Sequence, residues 1–353
     1  MSSSPTTSPA SPTGPSTIPS TILCDNPALR NAWYAVARSI DVGAGPMGVT
    51  VLGTKVVLYR SNAATNAVIA APDRCPHREA PLSAGHVTDG CLVCPYHGWT
   101  FGADGRCVRV PSSADNIPAP PRAHLATYPT VEKYGLVWIC VGTPSGDAPD
   151  IPIIPNESDQ SFRRINTPVD IWRCSATRMA DNFLDISHFP FVHVGTFGIA
   201  QETEVLKVQL EDLDDGWYGY KYDVRANNTA LGTLTSGQSV GVVERAMSSG
   251  FHLPFDVRST IVYHSGLQHI LLLLSTPIDD VTSYFTFVVW RNDDFAMSAE
   301  EIIRFDLSIG AEDKRMLEQL DGVLPLDKTT LVNSQADKAS VEWRRRLYEA
   351  MNS

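Results

Sequence analysis

The sequence predicts an α+β protein in two parts, a compact and mainly antiparallel β domain followed by a larger domain of helix, long antiparallel sheet and helix. Three observations predict it. Short β-type runs broken by Gly and Asp turns fill the chain to about residue 145. A proline-rich seam then runs through 148–155, where missing backbone donors favour an extended link. Beyond it, long apolar strand patterns lie between two stretches with apolar residues at helical spacing. The expected divisions are 1–25, 26–147 and 148–353.

Residues 2–21 are almost entirely Ser, Thr, Pro, Ala and Gly, and read as a disordered tail. This stretch lacks the positive start and apolar centre of a secretory signal. A short helical or irregular lead-in, Pro27 to Arg38, carries Trp33 and Tyr34. Val49 to Leu52, a Gly53-Thr54 turn and Val56 to Arg60 read as a hairpin, with further strands at 67–71, 100–101 and 135–141. In the second part a helical pattern covers 174–191, and strands are expected at 204–225, 231–243, 255–265, 268–276 and 281–290. Ile302, Ile303, Leu307, Ile309, Met316, Leu317 and Leu320 mark a final helix over 299–321.

Composition narrows the function. With 28 basic and 39 acidic side chains the formal charge is −11, which disfavours nucleic acid or an anionic membrane as partner. The longest apolar stretch, Ile270 to Leu274, is far short of a membrane span, so a soluble, cytoplasmic protein is expected. Seven cysteines in a reducing compartment serve metals or cores, and Cys24, Cys91, Cys107, Cys140 and Cys174 read as structural. Gly43-Ala-Gly-Pro-Met-Gly48 matches a dinucleotide motif in letters only. It precedes a strand, and Pro46 removes a backbone donor, so nicotinamide chemistry belongs to another protein.

Two constellations carry chemistry. Cys75-Pro-His77 and Cys94-Pro-Tyr-His97, sixteen residues apart, offer one thiolate and one imidazole from each of two loops. A [2Fe–2S] centre with two thiolates on one iron and two imidazoles on the other needs that symmetry, whereas structural zinc more often takes Cys-x-x-Cys on one arm; zinc remains the competitor. Gly98 allows close backbone approach, Trp99 packs over the loop, and His86 reads as a surface residue. Downstream, Asp185-Ile-Ser-His188-Phe-Pro-Phe-Val-His193 places Asp185 and His188 on one helix face. Pro190 is expected to break the helix and turn His193 toward His188. Two histidines supply two corners of a facial triad for non-haem Fe(II), and a carboxylate must complete it. The final helix offers Asp306, Glu312, Asp313 and Glu318.

Cys75-Pro-His-Arg together with Cys94-Pro-Tyr-His-Gly-Trp99 resembles the Rieske motif closely, and from about residue 30 to the end the chain resembles the Rieske non-haem iron oxygenases. Length and arrangement look like the vanillate and dicamba O-demethylases and the methylxanthine N-demethylases. The resemblance implies a helix-grip-like catalytic domain and selects Asp313, in Ala311-Glu-Asp-Lys, as the third iron ligand, with Glu312 the runner-up. Asp185 then bridges His188 of one subunit to His97 of its neighbour in a head-to-tail homotrimer. An NAD(P)H-dependent reductase, directly or through a ferredoxin, supplies electrons. With O2, the enzyme hydroxylates or demethylates an aromatic or heterocyclic substrate; cis-dihydroxylation is the alternative, and a non-catalytic electron carrier the remote one. Asn182, Phe197, Phe251, His264 and His269 are candidate pocket residues. Glu79 stands where the family has glycine, so a local adjustment of that loop is expected.

Overall fold

The computed structural model describes residues 23–353, apart from 62–65, 115–116, 206, 294–296 and 328. Most of the expected tail therefore lies outside the described residues. After a four-residue helix, α1 (Pro27–Arg30), ten short strands build the first half. They are β1 (Tyr34–Arg38), β2 (Met47–Val51), β3 (Thr54–Arg60), β4 (Val68–Pro72), β5 (His86–Thr88), β6 (Cys91–Val93), β7 (Thr100–Phe101), β8 (Cys107–Arg109), β9 (Thr130–Lys133) and β10 (Leu136–Ile139). They form three antiparallel sheets, ordered β1-β10-β9, β2-β3-β4 and β5-β6-β7-β8. Tyr34 to Arg38 is thus a strand rather than part of the lead-in, because its side chains close over the core from both faces.

The hairpin turn sits one residue earlier than its sequence suggests. Leu52 and Gly53 both take positive φ, 46° and 70°. Leucine tolerates this because the turn docks on the second half, Leu52 N–H donating to the Pro277 carbonyl at 2.8 Å and Gly53 N–H to Ile278 at 2.7 Å.

In the second half one eight-stranded antiparallel sheet has the path β11-β18-β17-β16-β15-β14-β13, with β12 also on β18. The strands are β11 (Arg163–Asn166), β12 (Asp170–Trp172), β13 (Leu210–Leu213), β14 (Trp217–Asn228), β15 (Gly241–His252), β16 (Asp256–Val262), β17 (Gln268–Pro277) and β18 (Ser283–Arg291). Helices α2 (Ala176–Leu184), α3 (Phe189–Val192), α4 (Ala230–Ser236), α5 (Ala299–Leu317) and α6 (Lys338–Met351) pack on it. The stretch expected as a strand at 231–243 is instead α4 followed by the start of β15. Its caps explain this: the Thr229 hydroxyl accepts from Gly232 N–H at 3.2 Å, and Gly237 closes the helix at φ 64°. Helix α5 begins with a reciprocal Ser298–Glu301 capping box.

The core does not respect the seam at 148–155. Trp33, Tyr134 and Trp138 from the first half pack with Trp217, Leu272 and Trp290 from the second. Another cluster joins Val51, Leu58 and Val137 to Phe251, Val257 and Trp343. At the seam, His252 stands 3.1 Å from Asp150 and 3.8 Å from Asp256. Burial pulls the imidazole down, but the two carboxylates outweigh it and raise its pKa to about 9. A raised histidine stabilises the fold fully below its unfolded value near 6.5 and loses that contribution as pH rises through about 9. We expect His252→Gln to lower the thermal midpoint at pH 6 and to leave it nearly unchanged at pH 9.5. The effect is on the order of 1 kcal/mol, since Asp150 is 78% exposed and screened. Equal losses at both pH values would show that the charge plays no part.

Candidate functional site

Two loops at one end of the first half are closed in the same way. Cys75 N–H donates to Ala80 O at 2.9 Å and Glu79 N–H to Cys75 O at 2.8 Å. In the second loop Cys94 N–H donates to Trp99 O at 2.9 Å and Gly98 N–H to Cys94 O at 3.1 Å. The fifth residue of each loop takes the left-handed conformation, Glu79 at φ 60° and Gly98 at φ 67°. Gly98 does so freely; Glu79 carries a cost on the order of 1 kcal/mol and pairs with Arg74. That is the local adjustment this departure implies.

The loops bury both sulfurs, with Cys75 and Cys94 only 1% and 3% exposed, and turn the imidazoles outward. The His77 and His97 ring centres are 4.6 Å apart, and Trp99 stacks on His77 at 4.5 Å. His77 Nδ1 is buried without a hydrogen-bond partner. Burial pushes the Cys75 thiol up, so a thiolate there needs a cation. An orphaned imidazole nitrogen, two inward sulfurs and two outward imidazoles fit a Rieske cluster, which Cys75, Cys94, His77 and His97 would hold.

The second constellation is built differently from its sequence pattern. Helix α2 stops at Leu184, before Pro190, and Asp185 is already extended at ψ 141°. Tyr220 O–H donates to the Leu184 carbonyl at 2.8 Å. The Asp185 carboxylate then starts the next turn, accepting from Ser187 N–H at 2.8 Å and His188 N–H at 3.1 Å. Pro190 lies in the first turn of α3, where a missing N–H costs nothing. Asp185 and His188 therefore meet through a capping turn and not along one helix face.

His188 Nε2, His193 Nε2 and Asp313 Oδ1 converge at 3.1, 3.3 and 3.6 Å from one another. Bonds of about 2.1 Å at right angles around one ion put neighbouring donors about 3 Å apart. The far nitrogens are held by carboxylates, His188 Nδ1 facing Asp185 Oδ2 at 3.1 Å and His193 Nδ1 facing Glu312 Oε2 at 3.0 Å. Burial would raise the Asp185 carboxyl, but His188 and Ser187 outweigh it and hold it below its usual range. A carboxylate only accepts, so each Nδ1 carries the proton and the Nε2 lone pairs face each other. Two lone pairs and a carboxylate oxygen at contact distance suit a cation. His188, His193 and Asp313 form a metal-competent group among the described residues.

Glu312, the alternative third ligand, supports His193 instead and also accepts from the Thr196 hydroxyl at 2.6 Å. Gly195 leaves room for it; a Cβ there would stand 2.5 Å from Glu312 Oε1. Adjacent residues on a helix point about 100° apart, so one step of α5 reaches both the convergence point and the back of His193. Glu312→Ala is expected to weaken iron binding by about 10- to 100-fold in a chelator competition, with the cluster spectrum intact. Unchanged retention of iron would reduce Glu312 to a packing role. Of the other helix acids, Asp306 stands 3.2 Å from His269 and Glu318 accepts from the Arg173 backbone at 3.0 Å.

The triad floors a cavity of about 130 Å³ between the sheet and α5, partly open to solvent. Phe183, Phe189, Phe197, Phe285, Phe287 and Phe305 form much of its wall. Asn182 lines it and donates to Asp313 Oδ1 at 3.0 Å, and His269 lines its far side. Phe197 stacks on His193 at 4.8 Å. His264 faces an outer groove rather than this cavity. Phe251 is a correction: it lies 3% exposed in the core against Tyr218 and is not part of the wall, because β15 runs on beneath α6. Arg245, Asp306 and Tyr222, which do line the cavity, were not read as pocket residues. For Tyr222 and Arg245 the signal is two-residue alternation along β14 and β15, hidden by the strand expected at 231–243, and for Asp306 it is the seven-residue step to Asp313 along one face of α5.

Residues 32–129 match the Rieske [2Fe-2S] domain, and residues 172–353 match the vanillate O-demethylase oxygenase C-terminal domain. Methylxanthine N1-demethylase NdmA of Pseudomonas putida is 30% identical over 91% of this chain and 89% of its own. The structure of Pseudomonas putida CBB5 NdmA with caffeine superposes with a TM-score of 0.81 at 28% identity, covering 93% of each chain. The oxygenase component of dicamba O-demethylase from Stenotrophomonas maltophilia is 36% identical over 47% of this chain and 48% of its own.

Proposed function

Since the chain belongs to the Rieske oxygenases with a vanillate O-demethylase-type catalytic half, we propose that it is the terminal oxygenase that inserts one oxygen atom of O2 into a C–H bond of an aromatic or heterocyclic substrate. Where that carbon is an O- or N-methyl group, the product is demethylated and formaldehyde leaves. The observation that carries this reading is the convergence of His188 Nε2, His193 Nε2 and Asp313 Oδ1 at the floor of a largely aromatic cavity. Iron held by these three residues supplies O2 activation, and a cluster on Cys75, His77, Cys94 and His97 supplies electrons.

The chain's own residues prepare that chemistry. Asp185 and Glu312 fix the imidazole tautomers and ring orientations, and Asn182 orients the Asp313 carboxylate. The phenylalanine walls exclude water and hold a flat ring near the triad. We take Asp185 as the electron bridge to His97 of a neighbouring chain, in a head-to-tail homotrimer. Its side chain is 19% exposed, open enough to meet a partner. An NAD(P)H-dependent reductase, with or without a ferredoxin, completes the system, and the cytoplasm is the proposed compartment. Among the described residues no helix is long and apolar enough to cross a membrane.

The test is aerobic turnover with a surrogate reductase and ¹⁸O-labelled O2 against methoxy-aromatics, N-methyl heterocycles and simple arenes. Formaldehyde with a demethylated product, or an alcohol carrying one labelled atom, is expected. A cis-diol with two labelled atoms would replace the monooxygenase reading by dihydroxylation.

A further inference from the structure

Away from the triad the cavity ends in a polar cluster that neither metal constellation uses. Arg245 points inward from β15 and is 5% exposed. Its Nη2 donates to Asn228 Oδ1 at 3.3 Å, its guanidinium carbon lies 5.3 Å from the Tyr263 ring centre, and its Nε is buried without a partner. Among the described residues no carboxylate stands within 4 Å of it.

The neighbouring arginine is already engaged. Arg291 donates to Asp293 at 3.1 Å, to the Thr235 carbonyl at 2.5 Å and to His269 Nδ1 at 2.6 Å. Guanidinium only donates, so His269 Nδ1 accepts and its proton sits on Nε2, 3.2 Å from Asp306 Oδ2. Asp306 Oδ2 faces that nitrogen although neither atom completes a hydrogen bond, and among the described residues Arg245 is the cation of the cavity wall with no carboxylate within 4 Å. A buried unpaired charge is strongly unfavourable unless a ligand supplies the opposite one. Asp306 and Asp313 are seven residues apart on α5, about 10 Å along its axis, a span that a substituted benzene ring and its contacts fill.

We propose that Arg245 recognises a carboxylate on the aromatic substrate, so that the opposite end of the ring faces His188, His193 and Asp313. This rests on the cavity being the substrate site of the oxygenase. Guanidinium and carboxylate match in shape and charge, and the low dielectric of the cavity strengthens the pair.

The experiment is anaerobic calorimetric titration of the iron-loaded enzyme with 4-methoxybenzoate, 4-methoxybenzamide and caffeine. The benzoate should bind about 30-fold or more tighter than the amide. Arg245→Gln should erase that preference with iron content unchanged and a thermal midpoint equal or higher, because the variant loses an unpaired buried charge. Arg245→Lys should keep part of the preference, which keeps the test decisive if the glutamine variant folds poorly. Benzoate binding no tighter than the amide or caffeine, absence of benzoate binding, or a preference that survives Arg245→Gln overturns the proposal. Tight benzoate binding with neither formaldehyde nor hydroxylated product sinks the oxygenase reading and leaves the Arg245 assignment standing.

Discussion

Asp313→Ala is expected to lower iron from about three to about two atoms per chain and to reduce turnover by more than about 100-fold, while the visible spectrum of the cluster stays as it was. The variant removes one of three atoms that meet within 3.6 Å, leaving two imidazole lone pairs 3.1 Å apart with no anionic partner. Losing a supporting carboxylate costs about 10- to 100-fold in metal affinity, and losing a ligand should exceed that. Glu312 cannot step in, because its Oε2 is already committed to His193 Nδ1 and the Thr196 hydroxyl on the far side of the ring. Full turnover with a third iron retained would mean that the carboxylate ligand is another residue.

Asp185→Asn should leave both metal sites loaded yet slow turnover by about 10²- to 10⁴-fold, the scale seen when a carboxylate orienting an imidazole becomes an amide. An asparagine carbonyl can still accept from His188 Nδ1, so the ring keeps its place and only the charge goes. The distinguishing measurement is rapid mixing of the pre-reduced variant with substrate and O2. A cluster that stays reduced for many wild-type turnover times, with iron content normal, identifies Asp185 as the electron bridge. Reoxidation at the wild-type rate would leave it a merely positioning acid.

What could be read from the chain depended on how local each feature is. The cluster quartet depends on spacing within two loops, and those loops close on themselves with matching hydrogen bonds, so sequence and structure coincide there. Of the strands after residue 255, β17 and β18 were legible as long apolar runs and β16 by its β-branched Val257, Thr260, Ile261 and Val262, and α5 because its apolar residues recur at helical spacing. Residues 231–243 misled because Leu231, Leu234, Val240, Val242 and Val243 resemble a strand, while Thr229 and Gly237 cap a helix. Helix α6 was not read; its buried face is set by Trp343 and Leu347 meeting the sheet, a long-range fact. The same holds for Glu312 and Asp313. Both were visible as acids on one helix, but only the packing of α5 against α3 and the loop after it assigns one to the convergence point and the other to the back of His193.

The two halves of this chain share their tryptophans, and that sharing makes the spacing between the two metal constellations of one chain an inherited length. It is fixed by Trp33, Tyr134 and Trp138 lodged among Trp217, Leu272 and Trp290, with Ile151 and Ile154 of the seam buried in the same cluster. Extra residues at 145–149, an exposed stretch leading into the seam, would hang outside as a loop and leave the gauge unchanged. Grafting a foreign cluster half onto this catalytic half would change it, because the cut passes through a common interior.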